Sequence, residues 1–202
     1  MIVRQVKVGR MENFVYLLKE AASREAIVVD SGWEIQPILK IAEGEMARIR
    51  YVIPTHGHFD HTKTVQELAA KTGAEVLVHE DSPLEGDGIL RDGDEIRVGE
   101  ESVKVIHTPG HTEDSVCLHD GRNLFTGDTL FVGSCGRTDL PGGSTEKLFK
   151  SLHQSILKLP GETIIYPGHD YGEVPHRTLS EEAKVNPALL AKDLRRFLLL
   201  FS

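Results

Sequence analysis

Thr55-His56-Gly57-His58-Phe59-Asp60-His61 is the stretch that decides the fold, because it places three histidines and a carboxylate within seven residues. It follows an apolar run at 51–53 that is typical of a strand, and it precedes apolar residues at helical spacing over 65–69. So many metal-capable side chains between two buried elements would be costly to bury without a cation. Imidazole and carboxylate together suit zinc, iron and manganese. The alternative, a histidine-rich surface loop, fits the flanking apolar segments less well, so the stretch predicts a metal site at the end of a strand.

The composition limits the kind of protein. The 202 residues, 40% of them hydrophobic, suffice for one sizeable core, so we expect a single domain over residues 1–202. The 23 basic and 31 acidic residues give a net charge of −8, which argues against nucleic acid and against a membrane surface as partners. Because no run reaches the roughly 18 apolar residues of a membrane span and no signal peptide is evident, we expect a cytoplasmic protein. Cys117 and Cys135 are then expected as free thiols.

The rest of the chain alternates strand and helix patterns in two halves. In the first half, strands are predicted over 2–8, 14–18, 26–29, 51–53 and 75–78, and helices over 34–47 and 63–71. In the second half, strands are predicted over 95–98, 103–107, 115–118, 123–126 and, as the last strand, 163–166, and helices over 145–157 and 189–201. Two β-rich halves, each finished by helices, suggest an α/β protein of four layers, an αββα sandwich. The apolar C-terminal helix is expected to pack on the body of the protein or to form a homodimer with a partner subunit.

Three further metal-capable residues, His111, Asp128 and His169, each follow a predicted strand at a turn that contains glycine. Ligands that tight turns hold at strand ends converge on one edge of a sheet pair. A single histidine in a Pro-Gly turn is more often a turn residue than a ligand. The joint occurrence of four such motifs therefore carries the prediction of one shared site.

The spacing fits a centre for two divalent metal ions, with zinc as the first expectation and iron, or iron mixed with zinc, as the alternative. One cation would be shared by three histidines, a second by a mixed group, and one carboxylate would bridge the two. The first cation would be held by His56, His58 and His111, and the second by Asp60, His61 and His169. The bridging carboxylate would be Asp128. A hydroxide held between two such cations would be a nucleophile near neutral pH.

Four motifs in this order, Thr-His-Gly-His-Phe-Asp-His, Thr-Pro-Gly-His-Thr, Phe-Thr-Gly-Asp-Thr and Pro-Gly-His-Asp-Tyr, resemble those of the metallo-β-lactamase superfamily. Within it, Asp128-Thr129-Leu130-Phe131 and Cys135-Gly136-Arg137 look most like the glyoxalase II-like branch. The resemblance implies the αββα fold, the ligand division above and hydrolysis of a small thioester or ester. It also implies that Asp30 braces the metal-binding loop by hydrogen bonds.

Gly136-Arg137-Thr138-Asp139 also resembles the persulfide dioxygenases. Those enzymes hold one iron with two histidines and a carboxylate, which the resemblance places at His56 or His58 together with His111 and Asp128. The ligands therefore do not separate the two activities.

We expect a metal-dependent hydrolase in which a metal-bound hydroxide attacks the substrate and Asp60 and Asp128 act as catalytic carboxylates. The alternatives are an iron-dependent persulfide dioxygenase and a metal-binding protein without turnover. Arg137 is the predicted contact for an anionic substrate, unless it pairs with Asp139. Tyr171 resembles the tyrosine that follows the last ligand in glyoxalase II, and it is expected to line the pocket or to act structurally.

Overall fold

The first of two six-stranded sheets contains the N-terminal half of the chain in this structure, a computed structural model that describes residues 1–201. Its strands are β1 (Ile2–Val8), β2 (Asn13–Lys19), β3 (Glu25–Val29), β4 (Arg48–Ile53), β5 (Glu75–His79) and β6 (Gly88–Leu90). The strands lie in chain order, antiparallel from β1 to β3 and parallel from β3 to β6. Parallel neighbours need crossover connections. Helix α1 (Gln36–Gly44) supplies the first, and α2 (Phe59–Thr62) with α3 (Val65–Thr72) supplies the second.

The second half of the chain builds the other sheet. Its elements are β7 (Glu95–Val98), β8 (Glu101–His107), β9 (Val116–His119), β10 (Asn123–Gly127), the hairpin β11 (Leu130–Phe131) and β12 (Ser134–Cys135), β13 (Ile164–Pro167) and β14 (Arg177–Thr178). Without the hairpin, these strands pair in the order β14-β13-β10-β9-β8-β7. The predicted last strand, 163–166, is therefore not the last, because β14 follows and pairs with β13. A two-residue strand leaves too short a pattern to be recognised in the sequence.

Helices cover the outer face of the second sheet. They are α4 (Thr145–Lys150), which continues as a π-helical turn (Ser151–Ser155) and a 3-10 turn (Ile156–Lys158), then α5 (Leu179–Val185), α6 (Pro187–Leu190) and α7 (Leu194–Phe201). The prediction of one helix over 189–201 is wrong. Extended backbone at Ala191 ends α6, and the Asp193 carboxylate accepts a hydrogen bond from Arg196 N at 2.8 Å, as a residue that caps a new helix does.

Three separate apolar cores confirm the four layers. One lies between the first sheet and helices α1 and α3, and includes Leu17, Val28, Ile38 and Leu68. The second lies between the two sheets and contains side chains from both, and the third lies between the second sheet and the C-terminal helices. Strand β2 is buried on both faces, since alternate residues enter the first and second cores. The α/β sandwich with an αββα order is thus the observed architecture, whereas a single domain over 1–202 stays a prediction.

The C-terminal helix α7 packs partly on the body, because Phe197 is fully buried in the third core. Leu199 on the same helix is 74% exposed. A homodimer through this helix stays a prediction. Within residues 1–201, the structure contains no helix whose length and apolar character would allow it to cross a membrane.

Candidate metal centre

The histidine-rich stretch leaves the first sheet at the end of β4 and lies under the turns that follow β8, β10 and β13. His56 is 1% exposed and His61 is fully buried. The spacing predicts a helix only from residue 63, but the structure begins α2 inside the motif at Phe59. As a result, Asp60 and His61 are neighbours on a short helix, and the His61 ring lies against the His56 ring of the preceding loop, with the centroids 4.2 Å apart.

The first group of predicted ligands comes together closely. Nδ1 of His58 lies 3.1 Å from Nε2 of His56 and 2.9 Å from Nε2 of His111. His111 lies in the turn after β8, so the two sheets contribute jointly to this group. Three imidazole nitrogens thus meet at one point.

The second group lies beside the first. Nε2 of His61 is 3.1 Å from Nε2 of His169, and each of these nitrogens is 3.4 Å from Oδ2 of Asp60. His169 follows β13 at the same edge of the second sheet. The structure therefore brings all three side chains within reach of one cation.

Asp128, in the turn after β10, lies between the two groups. Its carboxylate oxygens lie 3.3 Å from Nε2 of His61, 3.3 Å from Nε2 of His169 and 3.6 Å from Nε2 of His111. Its buried Oδ1 accepts no hydrogen bond of acceptable geometry. A buried carboxylate oxygen without a donor is costly, and this position is where a bridging ligand would contact a cation.

The histidines direct their other ring nitrogens outward, to fixed acceptors. In three of the rings Nδ1 donates this hydrogen bond, which leaves Nε2 as the nitrogen that faces the centre. The pairs are His111 to the Arg137 carbonyl at 2.7 Å, His169 to the Met11 carbonyl at 2.7 Å, and His61 to the Asp30 carboxylate at 3.0 Å. The three Nε2 atoms therefore converge beside the Asp128 carboxylate from fixed positions, an arrangement that fits divalent metal ions.

The histidine rings fall into two kinds according to the direction in which their surroundings shift the pKa. Burial, reinforced by the neighbouring His61, holds the pKa of His56 well below its usual value. Burial also lowers the pKa of His58, with His111 acting in the same direction. At His61 burial acts downward as well, but the Asp128 and Asp30 carboxylates outweigh it and hold the pKa of this ring well above its usual value. The neutral rings of His56 and His58 are ready to bind a metal, whereas His61 would bind one by exchanging its proton for it.

Asp60 is held by two residues that the sequence pattern does not single out. Asn13 Nδ2 donates to Asp60 Oδ2 at 2.9 Å, and Trp33 Nε1 donates to Asn13 Oδ1 at 2.7 Å. Asn13 is 1% exposed at the start of β2, so its amide is ordered. The only available signal was a polar residue at the edge of an apolar strand, which is too common to be informative.

Close backbone approach explains one glycine of the Pro-Gly-His turn. A Cβ at Gly168 would lie 2.5 Å from Oδ1 of Asp128 and 2.8 Å from Cε1 of His61. No side chain fits there, because both contacts are shorter than real Cβ contacts. Gly168 thus lets the turn that carries His169 close over the centre.

A cavity of about 540 Å³ opens onto the candidate ligands. Apolar side chains of Met11, Phe59, Phe131 and Leu140 line its walls. Tyr171 also lines it, stacks on His169 with the ring centroids 4.6 Å apart, and is 55% exposed.

Arg137 lies at the rim of this cavity, where its guanidinium makes two hydrogen bonds to Asp139 at 2.7 and 2.6 Å. Arg137, which was predicted to contact an anionic substrate, therefore pairs in this structure with Asp139, the alternative partner. Cys117 and Cys135 are both buried free thiols, as expected. Burial raises the pKa of Cys135 to about 12, so this cavity-lining residue is not a thiolate.

Comparison with known proteins places the fold and the centre in a family. The model of the metallo-beta-lactamase superfamily matches residues 8–169. Human mitochondrial persulfide dioxygenase ETHE1 is 37% identical over 181 residues, which cover 88% of this chain and 71% of that protein. The hydroxyacylglutathione hydrolase of Fuscovulum blasticum is 38% identical over 191 residues, which cover 91% of this chain and 72% of that protein.

A solved structure agrees over almost the whole chain. The crystal structure of ETHE1 from Myxococcus xanthus superposes with a TM-score of 0.94 at 34% identity, covering 99% of this chain and 89% of that one. The matched relatives are enzymes, and the family model spans all seven candidate ligands. The chain is therefore an enzyme of the metallo-beta-lactamase superfamily.

Proposed function

We propose that this enzyme is an iron-dependent persulfide dioxygenase, which oxidises the terminal sulfur of a small persulfide with dioxygen. The observation that carries the proposal is the similarity to proteins named persulfide dioxygenase ETHE1 over most of the chain, together with the TM-score of 0.94 to the structure of ETHE1 from Myxococcus xanthus. The hydrolase expected from the motifs becomes the second candidate.

The residues that would hold the iron are His111, Asp128 and one of His56 or His58. Two histidines and one carboxylate leave open positions beside the metal. Iron held there would supply the redox chemistry that joins dioxygen to sulfur. The carbonyl of Arg137 fixes the His111 ring by accepting its Nδ1 hydrogen at 2.7 Å, so the unprotonated nitrogen is aimed before any substrate arrives.

The cavity walls would orient the persulfide. Phe131 contacts both His169 and Tyr171 edge to face, with ring centroids 5.8 and 5.4 Å apart. This apolar side excludes water from the sulfur end of the substrate. At the rim, Arg137 would bind an anionic group on the remainder of the substrate by exchanging its Asp139 partner for it.

The hydrolase of a small thioester or ester is supported by a different feature. Asp60, His61 and His169 form a complete second group, and Asn13 holds Asp60 in place. A hydrolase with two metals, zinc first, needs this group, whereas a one-iron dioxygenase does not. Hydroxyacylglutathione hydrolase is also among the relatives.

Two isosteric substitutions separate the candidates. Asp60→Asn removes charge from the second group only, whereas Asp128→Asn removes the carboxylate that both candidates require. For a dioxygenase, we expect the Asp60→Asn variant to keep one iron and to consume oxygen at a rate within a few fold of the wild type. We expect the Asp128→Asn variant to lose more than about 100-fold of that rate, because loss of a residue that only hydrogen-bonds to a ligand already costs about 10–100-fold.

The readouts are bound iron and zinc per chain, oxygen uptake with glutathione persulfide, and cleavage of a hydroxyacylglutathione thioester. The hydrolase would instead lose thioester cleavage in both variants and show no oxygen uptake. That second result would overturn the proposal.

A further inference from the structure

We infer that this chain has a second, separate metal site, formed by His79, Asp81 and His107, that takes one borderline divalent cation such as Zn²⁺. His79 ends β5 in the first sheet and His107 ends β8 in the second. A nitrogen from each ring and an oxygen of Asp81 lie within 4.8 Å of one another. None of the three belongs to the candidate metal centre described above.

The two rings face each other closely. His79 and His107 stack with their centroids 4.1 Å apart and their planes inclined by 22°. His79 is 4% exposed. Burial and the neighbouring His107 lower the pKa of His79, so its ring is neutral near pH 7. Neutral imidazole is the form that binds a metal.

The hydrogen bonds leave a free lone pair on His107 Nδ1, whereas the lone pair of His79 Nδ1 accepts a long hydrogen bond that a bound cation would replace. His107 Nε2 donates to the Glu113 carbonyl at 2.8 Å, because a carbonyl only accepts, and Nδ1 of this ring is then unprotonated. His79 Nδ1 accepts from Asp81 N at 3.3 Å and lies 3.7 Å from the Asp81 carboxylate. Two imidazole acceptors and one carboxylate form a ligand set suited to zinc.

A buried carboxylate adds negative charge beside the rings. Asp114 is 4% exposed and its Oδ2 has no hydrogen-bond partner. The charges of Asp81, Glu80 and Asp114 all act on His79. Arg91 pairs with Glu80 at 2.9 Å, which leaves the other two carboxylates to attract a cation.

The cluster is somewhat wider than a bound zinc requires. Tetrahedral zinc with bonds of about 2.0–2.2 Å places neighbouring ligand atoms about 3.3–3.6 Å apart, whereas these atoms lie within 4.8 Å of one another. A shift of about 1 Å, with the His107 ring turning out of its stack with His79, would close the site. The Asp81 side chain is 48% exposed and free to make this shift.

The position suggests that the cation would join two loops that support the candidate metal centre. His107 lies four residues before His111 and directly precedes the turn that carries it. On the other side, a Cβ at Gly57 would lie 2.6 Å from Pro83, so the loop after β5 packs directly on the histidine-rich stretch. Zinc at the second site would hold these loops together without touching the substrate cavity.

Zinc counting on four proteins tests this inference. The proteins are the wild-type chain, His107→Asn, Asp81→Asn and the control His176→Asn, whose histidine is exposed outside both sites. After equilibrium dialysis against Zn²⁺, we expect the wild type and the control to hold one more zinc per chain than His107→Asn. Asp81→Asn, changed at an exposed position, should fold normally and bind the extra zinc more weakly.

Activity of the main centre should be the same in all four proteins, because none of the substitutions touches its ligands. Equal zinc content in the wild type, His107→Asn and Asp81→Asn would overturn the inference. Since the readout is a metal count, this result does not depend on which reaction the enzyme catalyses.

Discussion

At the scale of single residues, Asp30 supports the candidate metal centre without belonging to the ligand groups. Its Oδ1 accepts from Thr55 N at 2.7 Å, and its Oδ2 accepts from Thr55 Oγ1 at 2.9 Å and from His61 Nδ1 at 3.0 Å. Asp30 also has φ +60°, in the left-handed region that Asp and Asn tolerate better than other non-glycine residues. The Asp30 side chain thus fixes both Thr55, where the histidine-rich loop begins, and the ring of His61.

Asp30→Asn tests this support while keeping both the shape and the tolerated backbone conformation. One carboxylate oxygen becomes an NH₂ group that faces a donor, so a buried hydrogen bond is lost. We expect the free energy of unfolding to fall by about 1–3 kcal/mol and metal affinity to fall by about 10–100-fold. Urea denaturation and a metal titration measure the two effects. Unchanged metal affinity would show that the Asp30 contact does not orient His61.

At the scale of elements, the hairpin β11–β12 shows what sequence patterns miss. This hairpin carries Phe131 and Cys135 to the cavity, yet each strand has two residues and no periodicity. It is held by Glu182 of α5, whose fully buried carboxylate accepts from Gly133 N at 2.8 Å and from Arg177 at 3.1 Å. A contact between residues 49 positions apart in the chain leaves no local signal.

Glu182→Ala should loosen this wall of the cavity. Removing one partner of a buried ion pair costs about 3–5 kcal/mol, and a mobile hairpin should raise KM more than it lowers kcat. Glu173→Ala is the matched control, since Glu173 pairs with the same Arg177 but is 90% exposed. Thermal unfolding and steady-state kinetics provide the measurements. Equal behaviour of the two variants would contradict an anchoring role for Glu182.

At the scale of the whole molecule, one sequence pattern recurs: a strand is followed by a glycine-containing turn and then by a metal-capable residue. This pattern made both the αββα layers and the seven candidate ligands predictable. Each such turn lies at the same edge of the sheets, so local patterns carried global information. The hydrogen bonds from Trp33 to Asn13 and from Asn13 to Asp60 depend on long-range packing, and the break between α6 and α7 depends on a single cap. The choice of reaction was not predictable either, because hydrolase and dioxygenase share these ligands.

Metal removal should destabilise the whole fold, because the ligands come from both sheets. At free metal 100-fold above Kd, binding contributes about 2.7 kcal/mol. For a chain of this size, that corresponds to a Tm about 5–11 °C lower after chelation. Calorimetry of the chelated and reloaded protein measures the shift. An unchanged Tm would mean that the cluster is stable without a cation.

The most direct test of the dioxygenase proposal is oxygen consumption by iron-loaded protein supplied with glutathione persulfide. A persulfide dioxygenase should consume one dioxygen per persulfide at about one iron per chain, and its Asp128→Asn variant should be inactive. The same preparation should show no comparable cleavage of a hydroxyacylglutathione thioester. Thioester cleavage that requires two metals per chain, with no oxygen uptake on the persulfide, would contradict it.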